Sequence, residues 1–556
     1  MDPMFRSLPA SWLFLLFVLH TAVWTLYGVL SNPGAIHHDM MEAYLWGHEY
    51  QLGYFKHPPF WAWLAGAWFE VFPRANWAFY LLASLNSAFA LLGVWRLYGL
   101  YAKEYVKEMG VLLLLATPLY TFLALKFNAN AMLLCLWPWT AYFFAKSIEQ
   151  ISLRAALLFG VFAAASMLSK YYSALLLASI FAASLVHPNA RRYYRSLAPY
   201  LTVAVFLVLL TPHVIWTLDH GFQTVRYAQT RASFSNATVI KSIFAFIFGS
   251  IAFYSVPLLL GFASKPGSGP SPFYGRDRWR FLLIIALGPF ALSVFSAIVS
   301  HIRLSTNFAI PILFLIPLVL IQYLKPDLAR FHKFALIFAA GLYALALPIA
   351  VAVPYIMVLQ KKPEFFAPVF EIVELSKARW AAATPAPIRT VAGSLRYGMA
   401  AAFYGDGEVK EFTSFEQSLA PWITPERIAR TGLLAICLKD DGQCVERAAA
   451  LMTPGSVDGA RSSPSPNPLP GGERAFERLP LAGGERASQR LPLAGDSLSP
   501  RGEGRGEGVF SGPKANDATG LGVTPASRRE TVTVSRHYGQ AEGPPYTFEL
   551  FIIPPR

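Results

Sequence analysis

The sequence predicts a polytopic α-helical membrane protein with about eleven transmembrane helices and a small C-terminal α/β domain outside the membrane. Composition is the first ground. Of 556 residues, 54% are hydrophobic, 15% aromatic and only 14% charged, with a mean hydropathy of +0.40. Soluble domains carry about 25% charged residues. The second ground is repetition: apolar runs recur through residues 1–358, several near the ~20 residues that span a bilayer. The third is a change of character after 359, where apolar and polar residues mix as in a folded soluble domain.

The apolar runs fall near 10–30, 76–99, 109–126, 129–145, 155–169, 171–186, 198–217, 241–263, 280–300, 305–324 and 334–358. The first is too long for the core of a cleaved signal and lacks a small-residue cleavage site, so it reads as a retained helix. The stretch 155–186 is either two tilted helices or one long broken one, with the turn-like Ser169-Lys170-Tyr171-Tyr172 at its middle. Basic residues sit in alternate connections: Lys103 and Lys107; Lys146 and Arg154; Arg191, Arg192 and Arg195; Lys265, Arg276 and Arg278; Lys325, Arg330 and Lys333. If 155–186 crosses twice, the positive-inside rule puts these in the cytoplasm. Loops 31–75, 127–128, 218–240 and 301–304, and everything after 359, then face outward. The net charge of +14 needs no nucleic-acid partner on this reading, and no nucleic-acid motif is present.

Pro58–Pro73, PPFWAWLAGAWFEVFP, is apolar but short. It predicts an interfacial helix with Trp61, Trp63 and Trp68 at headgroup level. In the tail, 360–450 and 528–556 predict one α/β domain, ending in the apolar strand YTFELFIIPP. A Pro/Gly/Ser/Arg-rich block at 455–525 interrupts it. That block repeats GGER (471–474, 483–486) and RLPLAG (478–483, 490–495), and its composition predicts disorder. Of the three cysteines, Cys135 lies in an apolar run. Cys437 and Cys444 are either a disulfide, if the tail is outside the cytoplasm, or two unrelated thiols.

The chemistry concentrates in His37–Pro59, HHDMMEAYLWGHEYQLGYFKHPP, which follows directly on the first apolar run. Asp39 is the leading candidate base, with Glu42 as its helper: transfer to a hydroxyl needs a carboxylate to take the proton. Lys56 and His57 are candidates for holding a departing phosphate. The bland reading is a solvated interfacial loop. Its His and acid residues could also hold a divalent ion, though the spacing matches no firm ligand pattern. Lys126, Asn128 and Asn130 form a second cluster, LKFNANA, at an outer turn; it is either functional or a helix cap. Lys170 either meets a phosphate or snorkels. His213 marks another outer exit, and Arg303 a further one, where it could clamp a phosphate or sugar carboxylate.

With these residues in view, the chain resembles the GT-C superfamily of bacterial membrane glycosyltransferases. An early acid followed by GYFKHPPFWAWL is similar to their pattern, and the similarity extends through LKFNANAMLLCLWPWTAYFF, LSKYYSALLL and PHVIW, over roughly 10–325. The superfamily includes lipid A aminoarabinose transferases, galacturonosyltransferases of lipopolysaccharide core and, more remotely, protein O-mannosyltransferases. The resemblance implies a polyprenyl-phosphate sugar donor, reaction on the periplasmic side of the bacterial inner membrane, and a catalytic or metal-associated role for Asp39. It places the family's residues before Pro-Pro on Lys56 and His57. This chain departs from the pattern at three points. Met40 follows Asp39, Lys56 stands where many members have an acid, and Asn128 and Asn130 stand where many have an Asp.

The expectation is therefore a glycosyltransferase moving a sugar from polyprenyl phosphate to a lipid or envelope glycan acceptor. It requires no cofactor, although a divalent metal could bind. Lys56, His57, Lys170 and Arg303 would hold the phosphate, with Asn128 and Asn130 orienting the donor. The rival reading is a transporter or flippase of a lipid-linked sugar. Against it, no repeat relates the two halves, and the polar residues gather at one face. A non-catalytic envelope protein of the same fold is the third reading.

Overall fold

The structure is a computed structural model that describes residues 10–230, 234–267, 272–274, 278–363, 365–452 and 527–555. Arg276 and the repeat-bearing block at 455–525 lie outside the described residues. The chain begins with α1 (Ala10–Ser31), two short helices α2 (His38–Gly47) and α3 (Phe60–Phe69), then α4 (Asn76–Tyr98) and α5 (Glu104–Leu115). There follow α6 (Ala129–Gln150), α7 (Leu153–Ser169), α8 (Ala174–Val186), α9 (Ala190–Tyr194), α10 (Ala198–Asp219) and α11 (Gln223–Thr230). The helical part closes with α12 (Asn236–Phe253), α13 (Ser255–Ala263), α14 (Trp279–Val299), α15 (Ile316–Leu324) and α16 (Leu328–Leu359).

Among the described residues, six helices are long and apolar enough to cross a membrane: α1, α4, α10, α12, α14 and α16. A bent pair, 105–115 with 118–125, makes a seventh if taken as one span; it turns by 81° at Thr117-Pro118, where proline removes a backbone donor. Shorter apolar helices cover Leu153–Ser169, Tyr171–Val186 and Leu313–Leu324.

Lys170 breaks the 155–186 stretch, its backbone extended at φ −163°. At that break its side chain reaches Asn130, at the start of α6. Beyond α8, His187 Nε2 lies 3.1 Å from Glu149 Oε1, at the far end of α6. The chain therefore runs the length of α6 twice between 153 and 187, so the two-helix alternative is the correct one. The connections segregate in the same way. At the Glu149 end, Arg278 joins Glu149 at 2.6 Å, and backbone bonds tie Lys103 to Pro272 and Gly267 to Lys325. At the Asp39 end, Asn76 donates to the Gly34 carbonyl and Thr224 to the Tyr54 carbonyl.

Residues 38–47 are a helix rather than a loop. The reason is packing: Met40 through Gly47 are buried, and α2 crosses α3 so closely that a Cβ on Gly47 would stand 2.2 Å from the Ala62 carbonyl oxygen. Only glycine permits that approach. The α3 segment is helical as expected, but Trp61 is fully buried against Trp46. It supports the core instead of lying at headgroup level.

The tail contains α17 (Val369–Ala383), β1 (Thr390–Gly393), α18 (Leu395–Tyr404), β2 (Lys410–Glu411), α19 (Pro425–Thr431), β3 (Leu433–Leu438) and α20 (Gly442–Ala450). After the undescribed stretch come β4 (Arg528–Val534), β5 (His537–Tyr538), β6 (Ala541–Glu542) and β7 (Tyr546–Ile553). Five strands form one mixed sheet in the order β2-β1-β3-β7-β4. β1 runs parallel to β2 and β3, while β7 is antiparallel to β3 and β4. Interior β3 reads LLAICL and is almost wholly buried, as a strand covered on both faces must be. Edge strand β4 alternates and carries Arg528 and Arg529, which discourages edge pairing. Cys437 on β3 and Cys444 on α20 are joined in a disulfide, and Cys135 is a buried free thiol.

Candidate active site

Asp39 sits in the first turn of α2, where the partial positive charge of the helix end favours a carboxylate. His37 caps that helix, its Nδ1 accepting the Asp39 backbone N–H at 3.1 Å. The facing wall comes from the bent segment. Beyond its 81° break the chain delivers Lys126, and Asn128 then caps α6 by accepting from the Asn130 and Ala131 N–H groups. The same Asn128 turns its Nδ2 to Asp39 Oδ2 at 3.0 Å, so capping and site-building are both true of it. Lys126 Nζ lies 2.9 Å from that oxygen. On the other oxygen, His38 Nε2 is at 3.2 Å and His37 Nδ1 at 3.7 Å.

Burial alone would push the Asp39 carboxyl up. His37, Lys126, His38 and the Asn128 amide instead hold it well below the usual carboxylate range. Burial also draws both imidazoles down, His38 to about 4. At neutral pH the cluster is therefore an ionised carboxylate beside an ammonium and two neutral rings. Asn130 extends it: its Oδ1 accepts from Lys170 Nζ at 2.6 Å, and that ammonium stands 4.5 Å from the Phe308 ring centre. The two asparagines of LKFNANA thus link Asp39 to Lys170.

A family model described as dolichyl-phosphate-mannose-protein mannosyltransferase matches residues 56–216. Those bounds include Lys56, His57, Asn128, Asn130, Lys170 and His213, and fall short of Asp39. The lipopolysaccharide core galacturonosyltransferase RgtB of Rhizobium johnstonii is 25% identical over 338 residues, 55% of this chain and 64% of that protein. The match thus spans less than two thirds of this relative's length. The crystal structure of ArnT from Cupriavidus metallidurans bound to undecaprenyl phosphate has the same fold. It superposes with a TM-score of 0.52 at 15% identity, covering 78% of this chain and 94% of ArnT. The resemblance to GT-C membrane glycosyltransferases holds.

Within this ArnT-like fold, several candidates stand differently from expectation. Lys56 does not point a free charge at the site: its Nζ is 2.9 Å from Glu42 Oε1, with the side chains 13% and 6% exposed. Burial raises the Glu42 carboxyl against the pull of Lys56, and Glu42 in turn raises the Lys56 ammonium against burial. The two side chains answer each other, so Glu42 is ion-paired with Lys56, and among the described residues it makes no hydrogen bond or ion pair with Asp39. His57 closes the GYFKH turn, its carbonyl accepting from the Tyr54 N–H and its ring edge-on to Trp61. His213 is held by the Tyr171 hydroxyl and the Leu52 carbonyl, each at 2.7 Å. Arg303 is exposed beyond α14. Among the described residues neither His213 nor Arg303 contacts Asp39.

The C-terminal sheet supplies groups that no local sequence pattern marks. The Tyr404 hydroxyl donates to Asn76 Oδ1 at 2.7 Å and accepts from the Ile36 N–H, pinning the segment ahead of α2. Lys410 meets Glu49 at 2.8 Å. Next to it, Glu411 is buried and accepts from the Thr413 hydroxyl; burial pushes its carboxyl up to about 7, with Glu42 adding to the effect. Unfolded, that group ionises near its ordinary 4.5. The cost of folding around it therefore grows as pH rises from 4.5 and is complete above 7. Glu411→Gln is expected to stabilise the protein by about 1–3 kcal/mol at about pH 8 and by much less at about pH 5. Thermal unfolding of both proteins at the two pH values checks this.

His37, His38 and Asp39 place one ligand atom each within 4.8 Å of one another, among the described residues the one such group. The fit to a divalent ion is poor. The His37 Nδ1 lone pair is already taken by the Asp39 N–H, and Lys126 holds Asp39 Oδ2. A divalent ion on Oδ1, the oxygen that faces both rings, would sit against that neighbouring ammonium.

Proposed function

We propose that this chain is a GT-C glycosyltransferase that moves a sugar from a polyprenyl-phosphate donor to a lipid or cell-envelope glycan acceptor. The observation that carries the reading is the Asp39 constellation: an ionised carboxylate in direct contact with Lys126 and linked through Asn128 and Asn130 to Lys170. The undecaprenyl phosphate of the ArnT structure and the lipopolysaccharide core named for RgtB support the donor and acceptor classes.

In the reaction, Asp39 accepts a hydrogen bond from the acceptor hydroxyl. The hydroxyl oxygen attacks the anomeric carbon from the face opposite the phosphate, and the configuration inverts. The bond from that carbon to the phosphate oxygen breaks, and the electron pair leaves with the phosphate. Asp39 takes the proton as the new bond forms. Lys126 and Lys170 stabilise the charge that grows on the phosphate; preorganised cations of this kind act most strongly where water is excluded.

On this reading the Asp39 end lies on the periplasmic side of the bacterial inner membrane and the chain crosses eleven times. The double run along α6 and the segregation of connections to two ends support that path. No metal is required, because Lys126 already supplies the positive charge beside Asp39.

Purified protein in vesicles, given radiolabelled polyprenyl-phosphate sugars and envelope glycolipids, is expected to transfer label, and a chelator is expected to leave the rate unchanged. Movement of the donor between leaflets without transfer would replace this reading with a flippase. Activity lost on chelation and restored by a divalent ion would overturn the metal-free part.

A further inference from the structure

Arg396 stands in the first turn of α18, and α18 packs on α2, the helix that carries Asp39. The contact is firm: Phe403 meets Tyr44 edge-to-face at 5.2 Å and Phe69 at 5.9 Å. Tyr404, at the end of the same helix, holds the Ile36 N–H just ahead of α2. Arg396 itself is half-buried, and its charge acts on both His37 and His38. Among the described residues it forms no ion pair and no side-chain hydrogen bond. A half-buried guanidinium without a carboxylate partner is costly to keep, and its planar fork suits a phosphate or carboxylate.

Three lysines share these surroundings: Lys56 and Lys126 act together with Arg396 on His38, and Asp39 acts on Lys170. The three lysines come from the helical part, where a polyprenyl chain would lie. Arg396 comes instead from α18 of the C-terminal α/β part, which packs on α2.

We propose that Arg396 is the acceptor-recognition residue of this site, taking an oxyanion (phosphate or carboxylate) on the acceptor and so selecting anionic glycolipids over neutral ones. This rests on the glycosyltransferase reading for the word acceptor, and not for the binding itself.

The test is binding to the full-length protein in nanodiscs, with three probes: a phosphorylated glucosamine-disaccharide lipid, the same lipid with its phosphates removed, and undecaprenyl phosphate. Wild type is expected to prefer the phosphorylated lipid by about 10-fold or more, the size of a lost charge-assisted contact. Arg396→Gln is expected to abolish that preference while leaving undecaprenyl phosphate affinity unchanged, and Arg396→Lys to keep part of it. A preference that survives in Arg396→Gln overturns the proposal. So does an equal loss of undecaprenyl phosphate binding, which would place Arg396 on the donor. Because the readout is binding, failure of sugar transfer would remove the glycosyltransferase reading and leave this result standing. Intact transfer with no effect of Arg396→Gln on the preference would remove this one alone.

Discussion

Asp39→Asn is expected to lower the rate of sugar transfer by about 10²–10⁴-fold, the range for loss of a positioned general base. The substitution is nearly isosteric. Its amide oxygen can still accept from Asn128, whose Nδ2 lies 3.0 Å from the native carboxylate, and the α2 cap is untouched because it uses the backbone N–H of residue 39. What disappears is the negative charge that receives the proton and holds Lys126 at 2.9 Å. The fall should therefore appear in kcat, with thermal stability and undecaprenyl phosphate binding close to wild type. A variant that folds and keeps more than about a tenth of the wild-type rate would remove Asp39 from the role of base.

Lys56→Met is expected to destabilise the protein by about 3–5 kcal/mol, the cost of stranding one member of a buried ion pair. Glu42, 6% exposed, would be left without its ammonium one turn along α2 from Asp39. The double variant Lys56→Met with Glu42→Gln removes both charges and is expected to recover most of the loss. Thermal unfolding of wild type, both single variants and the double variant closes the cycle. If the double variant is as unstable as Lys56→Met alone, the pair is not what holds the FKHPP segment to α2.

How much of the site could be read from the sequence depended on distance along the chain. Asp39 was legible because an acid at the exit of an apolar run is a local signal, and LKFNANA was legible for the same reason. The role of Lys56 was not. Its cationic character is plain, but nothing local shows that Glu42, 14 residues earlier, takes up the charge once residues 38–47 coil into a helix. Arg396 and Tyr404 were beyond reach, since the bond from Ile36 to Tyr404 joins positions 368 apart and their surroundings in sequence read as ordinary strand and helix. The helical architecture was legible from apolar runs. The path of the chain was less so, because α7 and α8 are short and the bent pair before Lys126 breaks where length rules expect one rod.

The placement of β7 governs the order of assembly. This strand lies inside the sheet, between β3 and β4, yet it is the last of the seven to be synthesised. Until it arrives, β3 has an open side and β4 has no neighbour to pair with. Translation must therefore pass the whole 453–526 stretch before the sheet behind α18 can close. A ribosome that stalls in those repeats would leave α18, and its bond from Tyr404 to the segment ahead of α2, without a finished sheet behind it.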